Sequence, residues 1–198
     1  MQTPKVEIYT EATPNPESLK FVANRIFLKN HSIDCRNITE AKEVPLAREL
    51  FNTYVYVNGV FIAANFVTLT KKAGYDWNEI IPEIRDFLKN YLSNNLPVVS
   101  ENFQPPVSHS VETGKEQDIK EQEIEKRIKE LLEQYVKPAV EMDGGAIQFK
   151  SFKDGRLTLM LQGACSGCPS SMITLKAGIE GMMKRMVPEV VEVIAEEA

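Results

Sequence analysis

Val6-Glu7-Ile8-Tyr9-Thr10 alternates apolar and polar residues, the period-two pattern of a half-buried strand. A turn-rich stretch, Thr13-Pro14-Asn15-Pro16-Glu17-Ser18, separates it from a second strand-like segment, Leu19-Lys20-Phe21-Val22. From Val44 to Phe51 the apolar residues fall at helical spacing and predict a short helix. Tyr54-Val55-Tyr56-Val57, Asn58-Gly59 and Val60-Phe61-Ile62-Ala63 together predict a hairpin. Asn-Gly tolerates the positive φ angles of a type I′ turn, whose twist matches its flanking strands. Phe66 to Thr70 is a further strand. Asp76 is placed to cap a helix from Trp77 to Leu92, with Ile80, Ile84, Phe87, Leu88 and Tyr91 on one face.

The pattern weakens after Asn94. Asn94-Asn95, Pro97, Ser100, Gln104-Pro105-Pro106, Ser108, Ser110 and Gly114 mark a linker. A helix is then predicted from Asp118 to Val136, with Ile124, Ile128, Leu131, Leu132 and Tyr135 as its apolar stripe, ended or kinked by Pro138. Asp143-Gly144-Gly145 reverses the chain into a strand at Ile147–Lys150. Asp154-Gly155 marks a tight turn, so the strand from Leu157 to Leu161 runs antiparallel to it. The last helix runs from Ser170 to Met186 and buries Met172, Leu175, Ile179, Met182, Met183 and Met186. Val190 to Ile194 supplies a final strand.

These elements predict an α/β (α+β) chain of two small domains, each a mainly antiparallel sheet covered by helices. The domains span residues 1–93 and 118–198, and a flexible linker covers 94–117. The chain has 198 residues, 43% of them hydrophobic, which suffices for two small cores and excludes global disorder. No apolar run approaches the roughly 18 residues of a membrane span. The polar opening Met1-Gln2-Thr3-Pro4-Lys5 lacks secretory character. The expected location is cytoplasmic, of bacterial type, with the mature form of an organellar protein as the alternative, and no membrane partner is expected. The net charge of -5 argues against nucleic acid as a partner. The acidity is uneven, with 11 basic and 11 acidic residues up to Ser100 but 12 and 17 beyond it.

Candidate chemistry concentrates in the cysteines: Cys35, Cys165 and Cys168. Three are too few for a disulfide scaffold of this length, and two form a single C-x-x-C pair. That pair lies between a strand and a helix. Gly163 and Gly167 let the loop curl, and Pro169 suits the first helical turn. The unpaired N–H groups of a helix start favour thiolates or an anion held by them.

Three readings fit these residues. One is a thiol–disulfide switch of the thioredoxin type. Such sites follow a strand in a βαβ context, and the short Asp154-Gly155 hairpin before this strand argues against that fold. A second is metal or cluster binding. Four thiolates are then required, the motif supplies two, and no histidine follows His109. Two chains contributing a pair each would complete the set at a symmetric interface. The third is a turn that merely contains two small residues, and for Cys35 alone simple burial is preferred. No catalytic trio, P-loop or dinucleotide fingerprint accompanies the cysteines, so an enzyme is not expected.

Asp143-Gly144-Gly145, Leu161-Gln162-Gly163-Ala164-Cys165-Ser166-Gly167-Cys168-Pro169-Ser170-Ser171, Thr174-Leu175-Lys176 and Pro188-Glu189-Val190 resemble the C-terminal domain of NifU-like (Nfu-type) iron–sulfur scaffold proteins, over Ile124 to Val193. Thr13-Pro14-Asn15-Pro16-Glu17-Ser18-Leu19-Lys20-Phe21, Phe66 to Thr70 and Asp76-Trp77 resemble the Nfu N-terminal domain. The resemblance implies a scaffold or carrier that holds a [4Fe-4S] cluster between two subunits, through Cys165 and Cys168 of each. It implies a homodimer on cluster binding, an upstream cluster-assembly machinery and apo iron–sulfur client proteins that receive the cluster.

Overall fold

The computed structural model describes the backbone of residues 5–29, 31–103, 119–165 and 169–197. The chain divides into two compact units, Met1–Pro105 and Pro106–Ala198.

The first unit is a five-stranded sheet with strand order β1-β2-β5-β4-β3. Its strands are β1 (Ile8–Ala12), β2 (Ser18–Ala23), β3 (Ser32–Cys35), β4 (Val57–Ala63) and β5 (Phe66–Lys71), and every pairing is antiparallel. Helices α1 (Pro45–Thr53) and α2 (Trp77–Ser93) cover the sheet. Leu46, Ala47 and Leu50 of α1 join Ile80, Ile84, Leu88 and Leu92 of α2 in one core with Phe21, Val60, Ile62, Val67 and Leu69. Alternate strand residues enter this core, as period-two geometry requires. Each fully buried Leu or Ile contributes about 1.5–3 kcal/mol. Asp76 caps α2 as its sequence position predicts, accepting from the Asn78 N–H at 2.9 Å.

Two expectations for this unit change. Asn58-Gly59 does not turn. Both residues lie inside β4, Gly59 adjoins a register shift against β5, and the hairpin turns one strand later at Ala64-Asn65, where Ala64 has φ 41°. A Cβ at Gly59 would meet the Thr70 Cβ at 3.4 Å, an ordinary contact, so neither a turn nor lack of space requires the glycine. The short strand β3 was also not expected. Its sequence, Ser-Ile-Asp-Cys, carries too little apolar signal.

The Thr13–Pro16 loop is folded on itself. The Thr13 hydroxyl lies within hydrogen-bond distance of the Asn15 and Ser18 carbonyls, and the Trp77 indole N–H donates to the Pro16 carbonyl at 2.9 Å. Of the expected linker, residues 104–117 lie outside the described residues. Residues 94–103 pack on the first unit. Val98 is buried, the Ser100 N–H donates to the Glu43 carbonyl at 3.0 Å, and Phe103 stacks on His31.

The second unit is a three-stranded sheet, β6 (Gly145–Lys153), β7 (Arg156–Gly163) and β8 (Glu192–Glu197), with β7 central. Asp154 and Gly155 have φ 50° and 76°, as the predicted tight turn between β6 and β7 needs. Helix α3 (Ile119–Leu131) continues through a π-turn at Leu132–Val136 into α4 (Lys137–Met142). Pro138 therefore does not end the helix: it lies in the first turn of α4, directly after the π-turn. The π-turn has a packing cause. Ile128, Leu132, Val136 and Val140 are all buried at four-residue intervals, a spacing that drifts about 40° per step on a helix of 3.6 residues per turn. The wider turn takes up that drift. Helix α5 (Pro169–Met186) buries Ile179 and Met183 and leads into β8, which runs parallel to β7. Among the described residues, no helix is long and apolar enough to cross a membrane.

Candidate functional site

Cys165 stands two residues beyond the end of β7, just ahead of α5. Three glycines shape its surroundings. Gly144 follows α4 with φ 80°, the left-handed residue that closes a helix, and its N–H donates to the Glu141 carbonyl at 3.1 Å. Its own carbonyl accepts the Ala164 N–H at 3.2 Å and ties the α4–β6 turn to the cysteine loop. Gly163 ends β7 with φ 67°, which turns the chain toward Cys165. Gly145 pairs with Gly163 across the two strands. A Cβ at position 145 would lie 2.8 Å from the Cys165 Sγ and 2.5 Å from the Gln162 carbonyl oxygen.

The Cys165 side chain is 6% exposed and belongs to the core that holds Ile147 and Leu161. Burial pushes its thiol up to about 12, and the charge of Asp143 adds to the effect. A metal binding this sulfur must therefore displace a proton. Cys168, with Ser166 and Gly167, lies outside the described residues. Cys35 is 1% exposed in the core of the first unit, as expected of a cysteine without a partner motif. Among the described residues, no three His, Cys, Asp or Glu gather where they could hold a metal ion.

The other singled-out residues have structural work. Met183 is fully buried and Met172, Met182 and Met186 pack against the same core. Sequence reasoning read Asp143-Gly144-Gly145 as the turn that seats the first strand. Gly144 does that, but Gly145 also makes room for the cysteine. The signal for it was a Gly-Gly pair ahead of one strand and a glycine closing the next.

The topology corrects one sequence argument. The strand before the cysteines belongs to a hairpin, but it is also the first strand of a β7–α5–β8 crossover, and its β8 partner is parallel. The βαβ context assumed missing is present, so topology does not exclude a thiol–disulfide site.

Comparison with known proteins decides the family. Residues 8–95 match the model of the scaffold protein Nfu/NifU N-terminal domain, and residues 128–194 match that of the NifU-like domain. The human protein named NFU1 iron-sulfur cluster scaffold homolog, mitochondrial, is 40% identical over 184 residues, covering 92% of this chain and 69% of that protein. Its namesake in Drosophila erecta is 39% identical over 196 residues, covering 96% and 66%. The chain thus spans about two thirds of the length of these relatives. A solution structure of NifU-like protein from Saccharomyces cerevisiae is 30% identical, with a TM-score of 0.46 over 51% of this chain and 91% of that one. The family models and the curated relatives lend no support to a thiol–disulfide oxidoreductase.

The relatives also correct the expected location. They are named mitochondrial, which overturns the cytoplasmic expectation and points to the mitochondrion. Few cysteines and a modest acidic charge suit either reducing compartment, so composition does not separate the two. With both halves matched in order and two fifths of the aligned residues identical to those of the human protein, the chain belongs to the Nfu family of iron–sulfur cluster scaffold proteins.

Proposed function

We propose that this chain is a scaffold and carrier, not a catalyst, that assembles a [4Fe-4S] cluster and passes it to apo iron–sulfur proteins. Cys165 and Cys168 of two copies supply the four thiolates, and the cluster is cargo received from an upstream assembly machinery. The observation that carries this reading is the placement of Cys165. Its sulfur is seated by Gly145 at the junction of β7 and α5, in the unit matched by the NifU-like model. Soft thiolates are the donors that iron–sulfur clusters take. The second unit contributes two cysteines in all, half of a four-thiolate set, which favours a second copy as the source of the rest. Ligands shared between subunits separate when the subunits do, and this suits delivery rather than storage.

The test is transfer. The cluster-loaded full chain is mixed anaerobically with an apo iron–sulfur enzyme and a chelator that captures free iron, and the acceptor's activity is followed. The proposal expects activation despite the chelator. Activation that the chelator abolishes, at the rate given by free iron and sulfide, would contradict it.

A further inference from the structure

The first unit carries a surface feature that the cysteine site does not use. Tyr54, Phe87, Tyr91 and Leu96 line an open groove of about 570 Å³ beside α2. Its walls are held in place. The Phe87 ring stands edge-on to Tyr54 at 5.7 Å and packs with Tyr91 at 5.6 Å. The Tyr91 hydroxyl donates to the Pro97 carbonyl at 2.8 Å. Asn95, with φ 52°, turns the chain back so that the Leu96 N–H reaches the Tyr91 carbonyl at 3.3 Å. Leu96 is nonetheless 46% exposed, a large apolar side chain fixed in the open.

Two exposed carboxylates, Glu83 and Asp86, share this groove, and none of its lining residues is basic. Glu83 accepts the Tyr56 hydroxyl at 2.9 Å, which holds one carboxylate at the aromatic end. Burial raises the Tyr54 phenol above its ordinary value, and the charges of Glu83 and Asp86 raise it further, so the field of both acids reaches the groove. Aromatic faces attract a cation through their quadrupole, and carboxylates attract it through charge and hydrogen bonding. The same carboxylates repel phosphate, which argues against nucleic acid here.

We propose that this groove docks a basic, partly apolar segment of a partner protein, with an arginine whose stem packs on the aromatic wall, its guanidinium on Glu83 and Asp86, and an apolar neighbour against Leu96. The inference rests on the first unit alone and is independent of the cysteine reading.

The test titrates the isotope-labelled full chain with the capped peptide Arg-Leu-Arg-Leu-Arg and follows backbone amide shifts by NMR. The capped peptide Glu-Leu-Glu-Leu-Glu is the control. Shifts are expected around Tyr54, Phe87, Tyr91 and Leu96 with the arginine peptide only. The Glu83→Gln, Asp86→Asn double variant should keep the spectrum of the folded chain and bind that peptide about tenfold more weakly. No response to millimolar peptide, an equal response to the control, or unchanged affinity in the double variant would overturn the proposal. Shifts at these amides on concentrating the chain alone would assign the groove to a second copy and would overturn it too.

Discussion

Gly145 lies so close to Cys165 that no side chain fits between them. A Cβ at 145 would stand 2.8 Å from the cysteine sulfur and 2.5 Å from the Gln162 carbonyl oxygen. The carbonyl belongs to β7 and cannot swing aside, so the conflict falls on the strand pairing and on the sulfur together. Gly145→Ala should cost about 1–3 kcal/mol in the second unit, the usual range for overpacking. It should also lower cluster loading. Hydrogen exchange at the β6 and β7 amides reads the first effect, and iron content after reconstitution reads the second. Unchanged protection and full loading would show that the contact is not tight.

Gly178 and Gly181 give the opposite expectation. Both lie within α5, and a Cβ at either would meet nothing within 4 Å. A glycine inside a helix costs roughly 0.5–1 kcal/mol relative to alanine. Gly178→Ala and Gly181→Ala should each stabilise α5 by about that amount, seen as slower amide exchange along the helix. Faster exchange in either variant would contradict the open surroundings.

Cys35 should be chemically quiet. Burial, followed by the charges of Asp34 and Glu40, pushes its thiol up to about 12. At pH 8 only about one molecule in ten thousand then carries the thiolate, the form that reacts. Iodoacetamide should alkylate Cys35 at least about a hundredfold more slowly in the folded chain than in denaturant. Mass spectrometry of the peptide containing Cys35 checks this, and equal rates would sink it.

Glu180 should give the second unit an acid-sensitive joint. Its carboxylate accepts from the Lys184 ammonium at 2.6 Å and from the Val193 N–H at 3.1 Å, tying α5 to β8. These bonds, the lysine's first, hold the carboxyl below its ordinary value. A depressed carboxyl stabilises the fold above its unfolded pKa and loses that contribution as pH falls through its folded pKa. Protection of the Val193 amide should therefore weaken on acidification past the ordinary carboxylate range, and Glu180→Gln should remove that dependence. An identical pH profile in wild type and variant would contradict the assignment.

Two turn-forming dipeptides show how far the sequence could be read. Asp154-Gly155 and Asn58-Gly59 carry the same local signal, yet only the first turns. Asp154-Gly155 is flanked by segments that pair with each other, so local preference and tertiary pairing agree. Asn58-Gly59 lies in a strand that pairs with β5 on both sides of a register shift at Asn58 and, from Val60, with β3, and that pairing outweighs the local preference. β3 itself is one apolar residue short of a readable alternation. The parallel β8 was hidden for a different reason: direction is set by the α5 crossover, not by the strand's own residues.

The cysteine pair could be singled out as a candidate because its signal is local, two thiols three residues apart in the sequence. The part that was not legible is the packing behind it. Gly145 lies 20 positions before Cys165 in the chain, and only the β6–β7 register brings them together. The aromatic groove was hidden in the same way. Tyr54 follows α1 while Phe87 and Tyr91 lie on α2, and each reads as an ordinary core residue on its own.

The central claim is that two chains hold one cluster through their paired cysteines. Anaerobic reconstitution of the full chain with ferrous iron and sulfide tests it most directly, with iron and sulfide per chain read beside the native mass. The account predicts a dimer with about two irons and two sulfides per chain. Loading should be lost in Cys165→Ser and in Cys168→Ser and kept in Cys35→Ser. A full cluster in either motif variant, or a wild-type monomer that takes up no iron, would contradict it.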